Sequence, residues 1–501
     1  MSLQDPGCFG ARSQRPWAIV VLGGLLSAGC EAPGGDKRGG GPTGADTGSS
    51  EDTGEEQADD TGEETETGDP GDCEAPGGEW LGDLSWPIDG KTPCADGIFL
   101  ALTGDLVIDA STDTTDGLQC ICSVGGTLKV HETALEDLSG LATLERVGGS
   151  VDLQGNALLV DLEGLAGLQS VGGSLYVLDN DRLASLSGLR AIRSIGFTLE
   201  ISHNDAMVDL QGMDAFEELG DGLFIWDNPV LQSLNGLQGL DLVKGYLLIE
   251  RNNELESLVG LESVDEIWMS LEVKSNPHLR DLQGMGSLEF VGLQLDILDN
   301  DGLESLAGLE NLVVVDTAIN LKYNPVLTNL DGLQGLEMVA GFFDIHANDS
   351  LERIDGLSRL TEVHGFFYIE YNPALQTLDG LTSIQRVGGN LQVTHNEVLE
   401  DFGAAWPLAE IGVNLEVEDN PGLLNLDALL HLSQVTNGVR ISRNEVLEDI
   451  TGLYGLTWVG QDLEVSRNPQ LPTSMAETLA YEVLGEAGIG GGILIYENLE
   501  G

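Results

Sequence analysis

Histidine is the residue most often used for acid–base chemistry and zinc binding, and this 501-residue chain contains seven. None belongs to an H-E-x-x-H or nucleophile-elbow motif, and the serines and acids are without a distinctive partner. We therefore predict no catalytic residue, no metal site, no cofactor and no enzymatic activity, although a site assembled from distant residues stays open as an alternative. The histidines are His131, His203, His278, His346, His364, His395 and His431.

Residues 1–30 predict an export signal that ends at Cys30. Two arginines precede an apolar run, residues 17–26, which is too short to span a bilayer. The LLSAGC sequence that ends at Cys30 resembles a bacterial lipobox, although Ser27 stands where leucine is usual. The resemblance implies lipidation of Cys30 and a peripheral anchor at the cell envelope. An ordinary secretory signal or an uncleaved anchor is the alternative.

Four cysteines beyond Cys30 predict disulfide bonds, because an exported protein folds in an oxidising compartment. A bond between Cys120 and Cys122 would close a very tight ring. We therefore expect Cys73 and Cys94 each to pair with one of these two. Zinc binding is the alternative, but the spacings lack a pair of C-x2-C motifs.

A repeat of 24 residues occupies most of the chain, as the segment from Ser174 to Phe197, SLYVLDNDRLASLSGLRAIRSIGF, illustrates. A period of this length indicates a solenoid. One asparagine per repeat lies just after a predicted strand, where its side chain can bond turn amides and its backbone tolerates left-handed angles. These asparagines are Asn156, Asn180, Asn204, Asn228, Asn252, Asn276, Asn300, Asn324, Asn348, Asn372, Asn396, Asn420, Asn444 and Asn468.

The apolar residues of one repeat predict its local structure. With Ser174 as position 1, aliphatic residues at positions 2 and 4 lie on one side of a strand, Leu175 and Val177. Apolar residues then recur every third position, 10 to 22, which fits the inward corners of a coil and neither a long strand nor a helix. Because one coil cannot close its own apolar interior, stacked coils should share a continuous core and a parallel strand ladder.

The running pattern VGGSLYVLDNDRLASLSGLRAIRSIG resembles the receptor L-domain repeat of growth-factor receptor ectodomains, with coverage of roughly 102–501. The resemblance implies a leucine-rich β-solenoid: a right-handed, single-stranded parallel β-helix of about fifteen 24-residue coils, with an extracellular binding role. The chain has no cysteine-rich module and no kinase, so growth-factor binding and signalling are not carried over.

The remaining segments flank the repeats. After the signal, residues 31–72 form an acidic, Gly/Thr-rich stretch that predicts a disordered tether. Calcium capture by its acids is an alternative, although nothing fixes a coordination loop. Residues 73–126 should form a cysteine-containing cap, with a first strand at 105–108, before the solenoid at 127–471. Residues 472–501 should close the other end with a short helix, capped by Thr473 and Ser474, and a strand.

The outward strand positions carry aromatic and aliphatic residues where a solvated sheet would carry polar ones. Such exposed rings suit contacts with protein or sugar, and mutual stacking that stiffens the ladder is the alternative. The candidate ligand face consists of Phe224, Trp226, Tyr246 and Leu248 on two adjacent coils, and Phe342, Phe366, Tyr368 and Tyr371 on another pair.

Charge restricts the partners. The chain has 21 basic and 84 acidic residues, and residues 1–72 contribute 4 and 15 of them, so the remainder carries 17 and 69, a formal charge of −52. This charge disfavours nucleic acid and anionic lipid surfaces. We predict a monomeric, lipid-anchored envelope protein, at the cell surface or the periplasmic face of the outer membrane, whose solenoid recognises a protein or glycan. A structural spacer without a ligand is the alternative.

Overall fold

The computed structural model describes residue 73 and residues 77–87, 93–94, 97–485 and 487–500. The predicted export signal, the lipidation site Cys30 and the acidic tether lie outside these residues. No helix among the described residues is both long and apolar enough to cross a membrane.

One strand of three to five residues opens each coil, and 18 such strands pair in parallel into an open ladder, here called the long ladder. At about 4.8 Å per strand it extends for about 80 Å. The first and last strands each pair on one side only. The strands are Leu84–Trp86, Leu106–Ile108, Leu128–His131, Val151–Gln154, Leu175–Leu178, Leu199–Ser202, Leu223–Trp226, Leu247–Glu250, Leu271–Lys274, Gln294–Leu298, Ala318–Lys322, Phe342–His346, Phe367–Glu370, Leu391–Thr394, Leu415–Glu418, Val439–Ser442, Leu463–Ser466 and Ile493–Tyr496.

A second ladder of mostly two-residue strands lies near the end of each coil, and we call it the short ladder. The two parallel ladders confirm the predicted β-solenoid. The sequence predicts only one strand per coil, because a strand of two residues is too short to show an alternating pattern. It has two sections, of seven and ten strands. The strands are Gly78–Trp80, Leu100–Leu102, Ile121–Val124, Arg146–Val147, Ser170–Val171, Ser194–Ile195, Glu218–Leu219, and then Leu242–Val243, Glu266–Ile267, Phe290–Val291, Val314–Val315, Met338–Val339, Glu362–Val363, Arg386–Val387, Glu410–Ile411, Gln434–Val435 and Trp458–Val459.

The core is one continuous column of stacked aliphatic side chains. In the coil that starts at Ser174, all seven predicted inward residues are at most 1% exposed. From Val151 to Leu463 each strand of the long ladder pairs with the next in a register of 24, so Leu175 lies beside Leu199 and Val177 beside Ile201. Like side chains therefore stack on like along the column, which the 24-residue period predicts.

The bend at position 15 takes two forms. In seven coils of the described residues the chain makes a 3₁₀ turn, and six of them have glycine at position 15, where a Cβ on Gly188 would lie 1.8 Å from the Leu162 carbonyl oxygen. Ala428 takes this position in the seventh. In others the glycine has a positive φ, as at Gly212 with φ +110°. The 3₁₀ helices are Ser139–Leu141, Glu163–Leu165, Ser187–Leu189, Asp355–Leu357, Asp379–Leu381, Asp427–Leu429 and Thr451–Leu453.

The repeated asparagines form a fully buried hydrogen-bonded column, with 0% exposure for all fourteen. Asn276 illustrates the pattern: its Nδ2 donates to the Ile249 carbonyl of the preceding coil at 2.9 Å, and its Oδ1 accepts the Asn252 backbone N–H at 3.0 Å. Thr133 begins the column and Asn498 ends it. Each coil thus satisfies its turn amides with the side chain of the next coil.

The left-handed residue is the one before the asparagine, not the asparagine itself. Position 6 holds a non-glycine residue with φ between 52° and 58° in nearly every coil, including Asp179, Ala347 and Tyr371. Of the two properties that suit asparagine to this turn, the structure uses its hydrogen bonding, and the left-handed angle belongs to the residue before it. A buried asparagine that bonds both neighbouring coils fixes the turn strongly enough to hold its neighbour in this sparsely populated region.

The N-terminal cap contains more strands than the sequence predicts. Strands begin at Gly78–Trp80 and Leu84–Trp86, before the predicted first strand near 105–108. These early strands have three residues each and no 24-residue period, so the sequence pattern missed them. Disulfides join Cys73 to Cys122 and Cys94 to Cys120, one of the pairings that satisfies the prediction.

The C-terminal cap is a helix followed by a strand, as predicted. A short α-helix, Thr473–Glu477, continues as a π-helix, Thr478–Leu484, which buries Leu479 and Leu484. The helix cap differs from the prediction: Pro472 occupies the N-cap position, and the Thr473 hydroxyl instead donates to the Leu499 carbonyl at 3.1 Å.

The asparagine column predicts a large loss of stability when one member is removed. Asn276→Ala leaves the Asn252 N–H buried without a partner, at about 1–3 kcal/mol, and removes a hydrogen bond from the Ile249 carbonyl, at about 1 kcal/mol. We expect the free energy of unfolding by urea to fall by about 2–4 kcal/mol. Asn253→Ala, at an exposed asparagine of the preceding coil, is the control and should change little. Equal effects of the two substitutions would contradict this role.

Candidate ligand-binding surface

The outward face of the long ladder consists of positions 1, 3 and 5 of each coil, because alternate strand residues point to opposite sides and positions 2 and 4 fill the core. Strand pairing in register places each outward side chain beside its equivalent in the next coil. Phe224, for example, lies beside Leu248, and Trp226 lies beside Glu250. Outward side chains therefore form columns along the solenoid.

The first predicted patch, Phe224, Trp226, Tyr246 and Leu248, lies together on two neighbouring coils as the sequence predicts. Of these, Tyr246 is exposed and the other three are half-buried. The indole of Trp226 donates to Glu200 at 3.0 Å and meets the ring of His203 edge-on. Much of this patch is therefore occupied by contacts within the chain.

The second predicted patch divides into two parts. Phe366, the residue before the strand, stacks on Tyr368 within it, with ring centroids 5.7 Å apart, and Phe342 precedes them by one coil. Tyr371 lies one residue beyond the strand, at position 6, and contacts a different set of rings. Stacking of Phe366 on Tyr368 fits the alternative that these rings stiffen the ladder.

Four rings on four consecutive coils form a column at the end of the strands, here called the ring column: Tyr323, His346, Tyr371 and His395. Successive ring centroids are 5.6, 5.1 and 4.3 Å apart. Tyr323 and Tyr371 are about half exposed. Of these four rings only Tyr371 belongs to the predicted ligand face, because that prediction rests on strand positions and treats each histidine separately. Rings at position 5 or 6 of successive repeats were the available signal.

A shallow depression of about 330 Å³ lies along the ring column. His346, Tyr371 and His395 line it together with two carboxylates, Asp349 and Glu397, that occupy position 8 two coils apart. The depression therefore presents ring faces and two carboxylates to a ligand, and none of its lining residues is a lysine or an arginine.

The neighbouring outward face is also acidic. Burial, with the charges of Glu370, Glu416 and Asp344, raises the pKa of the Tyr368 hydroxyl. Burial and the adjacent Glu418 raise the pKa of Glu416 as well. Loss of hydration together with like charges therefore makes further negative charge unfavourable beside the ring column, whereas a cation there would relieve the repulsion.

A separate apolar surface lies at the corner where the coil returns to the long ladder. Phe197, Trp268, Met269 and Leu293 are each more than a third exposed there. These residues lie at positions 23 and 24, outside the strand positions on which the predicted ligand face rests, so the sequence does not single them out.

On another face, burial raises the pKa of the Asp265 carboxyl, and the charges of neighbouring acids, Glu266 first among them, raise it further.

Among the described residues, no group of three or more histidine, cysteine, aspartate or glutamate side chains is arranged to hold a metal ion. Several histidines instead lie near carboxylates: His395 Nε2 is 3.5 Å from Asp419, and His203 Nε2 is 3.6 Å from Asp227. Each aspartate also accepts a bond from an arginine one coil further on, Arg443 or Arg251.

Comparison with known proteins gives little beyond the fold. No protein-family model and no curated protein matches the chain. Among solved structures, the APL1 leucine-rich repeat domain is similar over 85% of this chain and 100% of its own, with 12% identity and a TM-score of 0.32. The TLR13–ssRNA13 complex is similar over 80% of this chain and 63% of that chain, with 14% identity and a TM-score of 0.23. At these TM-scores the fold assignment depends on the strand pairing above, and the receptor L-domain resemblance stays a prediction.

Proposed function

We propose that the solenoid is a non-enzymatic recognition or adhesion surface for a protein or glycan. The ring column with its acidic depression is the observation that carries this proposal. Exposed aromatic side chains are costly to leave in water and are enriched where proteins bind partners. Here they recur on four successive coils, next to polar groups that can fix the orientation of a ligand.

The rigidity of the scaffold supports the same proposal. Tyr371 and His395 project from turns that the buried asparagines hold, so their rings lose little conformational freedom when a ligand binds. A ligand that spans several coils would meet a preorganised row of contacts. The strong negative charge favours basic or neutral partners over nucleic acid or anionic membranes.

We further propose that the protein is anchored to the cell envelope by a lipid on Cys30, with residues 31–72 as a tether between the membrane and the solenoid. The two disulfides support this location, because such bonds form and persist in oxidising compartments.

The anchor can be tested by a substitution far from the solenoid. Cys30→Ser removes the lipidated thiol, so we expect the protein to move from the membrane fraction to the soluble fraction of the host cell while the disulfides still form. Ser27→Leu is the control. It restores the usual lipobox residue and leaves Cys30 in place, so it should keep the protein in the membrane fraction. Retention of the Cys30→Ser chain in the membrane fraction after its signal has been cleaved, as its mass would show, would contradict lipid anchoring.

The recognition role can be tested by removing the exposed rings. We expect full-length Tyr323→Ala/Tyr371→Ala to lose at least tenfold in binding to the protein or glycan that the wild-type chain captures from envelope extracts or glycan arrays. Both rings are half exposed, so the fold should remain intact by circular dichroism. Tyr481→Ala, which removes an exposed tyrosine from the C-terminal cap, is the control. Unchanged binding, or no specific partner for any variant, would favour the structural spacer.

A further inference from the structure

Two rings on this solenoid are covered by the chain's own arginines. The guanidinium of Arg251 lies over the indole of Trp226, 6.0 Å from the ring centroid. Two acids hold it there: Asp227 accepts from Arg251 Nε at 2.8 Å, and Glu250 accepts from Arg251 at 2.5 Å. The ring face and the carboxylates thus share one cation.

The second example lies at the C-terminal end. The Arg467 guanidinium is 5.4 Å from the ring centroid of Tyr496, and Arg467 Nε bonds Glu497 at 3.1 Å. Both arginines occupy position 6, and each lies beside an aromatic residue at position 5 of a neighbouring coil. The same chemical arrangement therefore occurs twice with different rings.

The ring column has the rings and the acids but no arginine of its own. Tyr371 and the histidines supply the ring faces, and Asp349 and Glu397 supply the carboxylates. Position 6 in the coil between Tyr323 and Tyr371 is Ala347, whose short side chain leaves the space open. Ala347 has φ +53°, the same backbone conformation as Arg251.

We propose that the depression along the ring column binds the guanidinium of an arginine side chain from a basic segment of a partner protein. This inference rests on the proposed recognition function and specifies its ligand. Cation–π contact with Tyr371 supplies one part of the attraction, and the carboxylates of Asp349 and Glu397 supply the other. The formal charge of −52 on residues 73–501 attracts a basic segment from a distance.

The test uses a terminally blocked peptide, Gly-Gly-Arg-Gly-Gly, and the same peptide with citrulline in place of arginine, titrated into the full-length protein at physiological ionic strength. Citrulline keeps the planar shape but has no charge. We expect the arginine peptide to bind at least about fivefold more tightly, the scale of a partly desolvated cation–π contact. Equal binding of both peptides would overturn the proposal.

Three variants locate the binding site. Tyr371→Ala removes the ring face, and Glu397→Gln removes one charge, so each should weaken arginine-peptide binding severalfold. Ala347→Arg places an arginine where the solenoid already accepts Arg251, Arg443 and Arg467 at the same backbone angles, so it should fill the depression and abolish peptide binding without unfolding. Glu445→Gln removes the equivalent acid two coils further on, beside no tyrosine, and is the matched control.

Two further results would overturn the guanidinium proposal. One is peptide binding that Ala347→Arg and Tyr371→Ala leave unchanged, since that would reflect only general attraction to an acidic protein. The other is a loss with Glu445→Gln as large as the loss with Glu397→Gln. If the double tyrosine variant loses its captured partner while neither peptide binds, recognition by the ring column stands and the arginine ligand does not.

Discussion

The buried asparagine column is the interaction on which the rest of the structure depends. Each side chain donates to a carbonyl of the preceding coil and accepts that coil's asparagine N–H, while its own backbone N–H donates to the asparagine of the next coil, so each asparagine is satisfied only when both neighbouring coils are in place. An unsatisfied buried amide is costly, so within the array a change that moved an asparagine out of line with its neighbours would cost these bonds. This dependence explains why the spacing stays at 24 residues through fourteen asparagines. At the two ends the column spans other separations, 23 residues from Thr133 to Asn156 and 30 from Asn468 to Asn498.

A fixed coil separates the residues that hold the fold from the residues that can vary. Positions that point inward are apolar, mostly aliphatic with a few phenylalanines such as Phe216 and Phe343, while positions 5 and 6 carry Trp, His, Tyr, Arg, Asp and Ala in different coils. Because position 6 is held in one backbone conformation, its side chains leave the solenoid in the same direction and form columns. Along one stretch these columns are closed by internal arginine–acid pairs such as Arg251 with Asp227, and along another they leave Tyr323 and Tyr371 exposed.

The sequence predicts the parts of this architecture that depend on period alone. Leu175, Val177 and their equivalents reveal the inward face and the long ladder. The sequence also predicts that Cys73 and Cys94 pair with Cys120 and Cys122, although not which pairs with which. The short ladder escaped prediction, because two residues such as Ser194 and Ile195 cannot display alternation. The ring column also escaped, since His346 and Tyr371 come from different positions in the repeat and meet only when the coils stack. Which exposed ring is covered by an arginine depends on side-chain contacts that spacing does not reveal.

A stacked scaffold that presents open ring faces beside carboxylates is suited to receive a cationic side chain, and the most direct test is where such a side chain binds. A photoreactive diazirine placed beside the arginine of the blocked peptide, followed by mass spectrometry of the cross-linked protein, would map the contact. The account predicts cross-links within residues 346–349, 371–373 and 395–397, the turns that surround the depression. Cross-links concentrated at the apolar corner around Trp268 and Leu293, or spread over acidic surfaces generally, would contradict it.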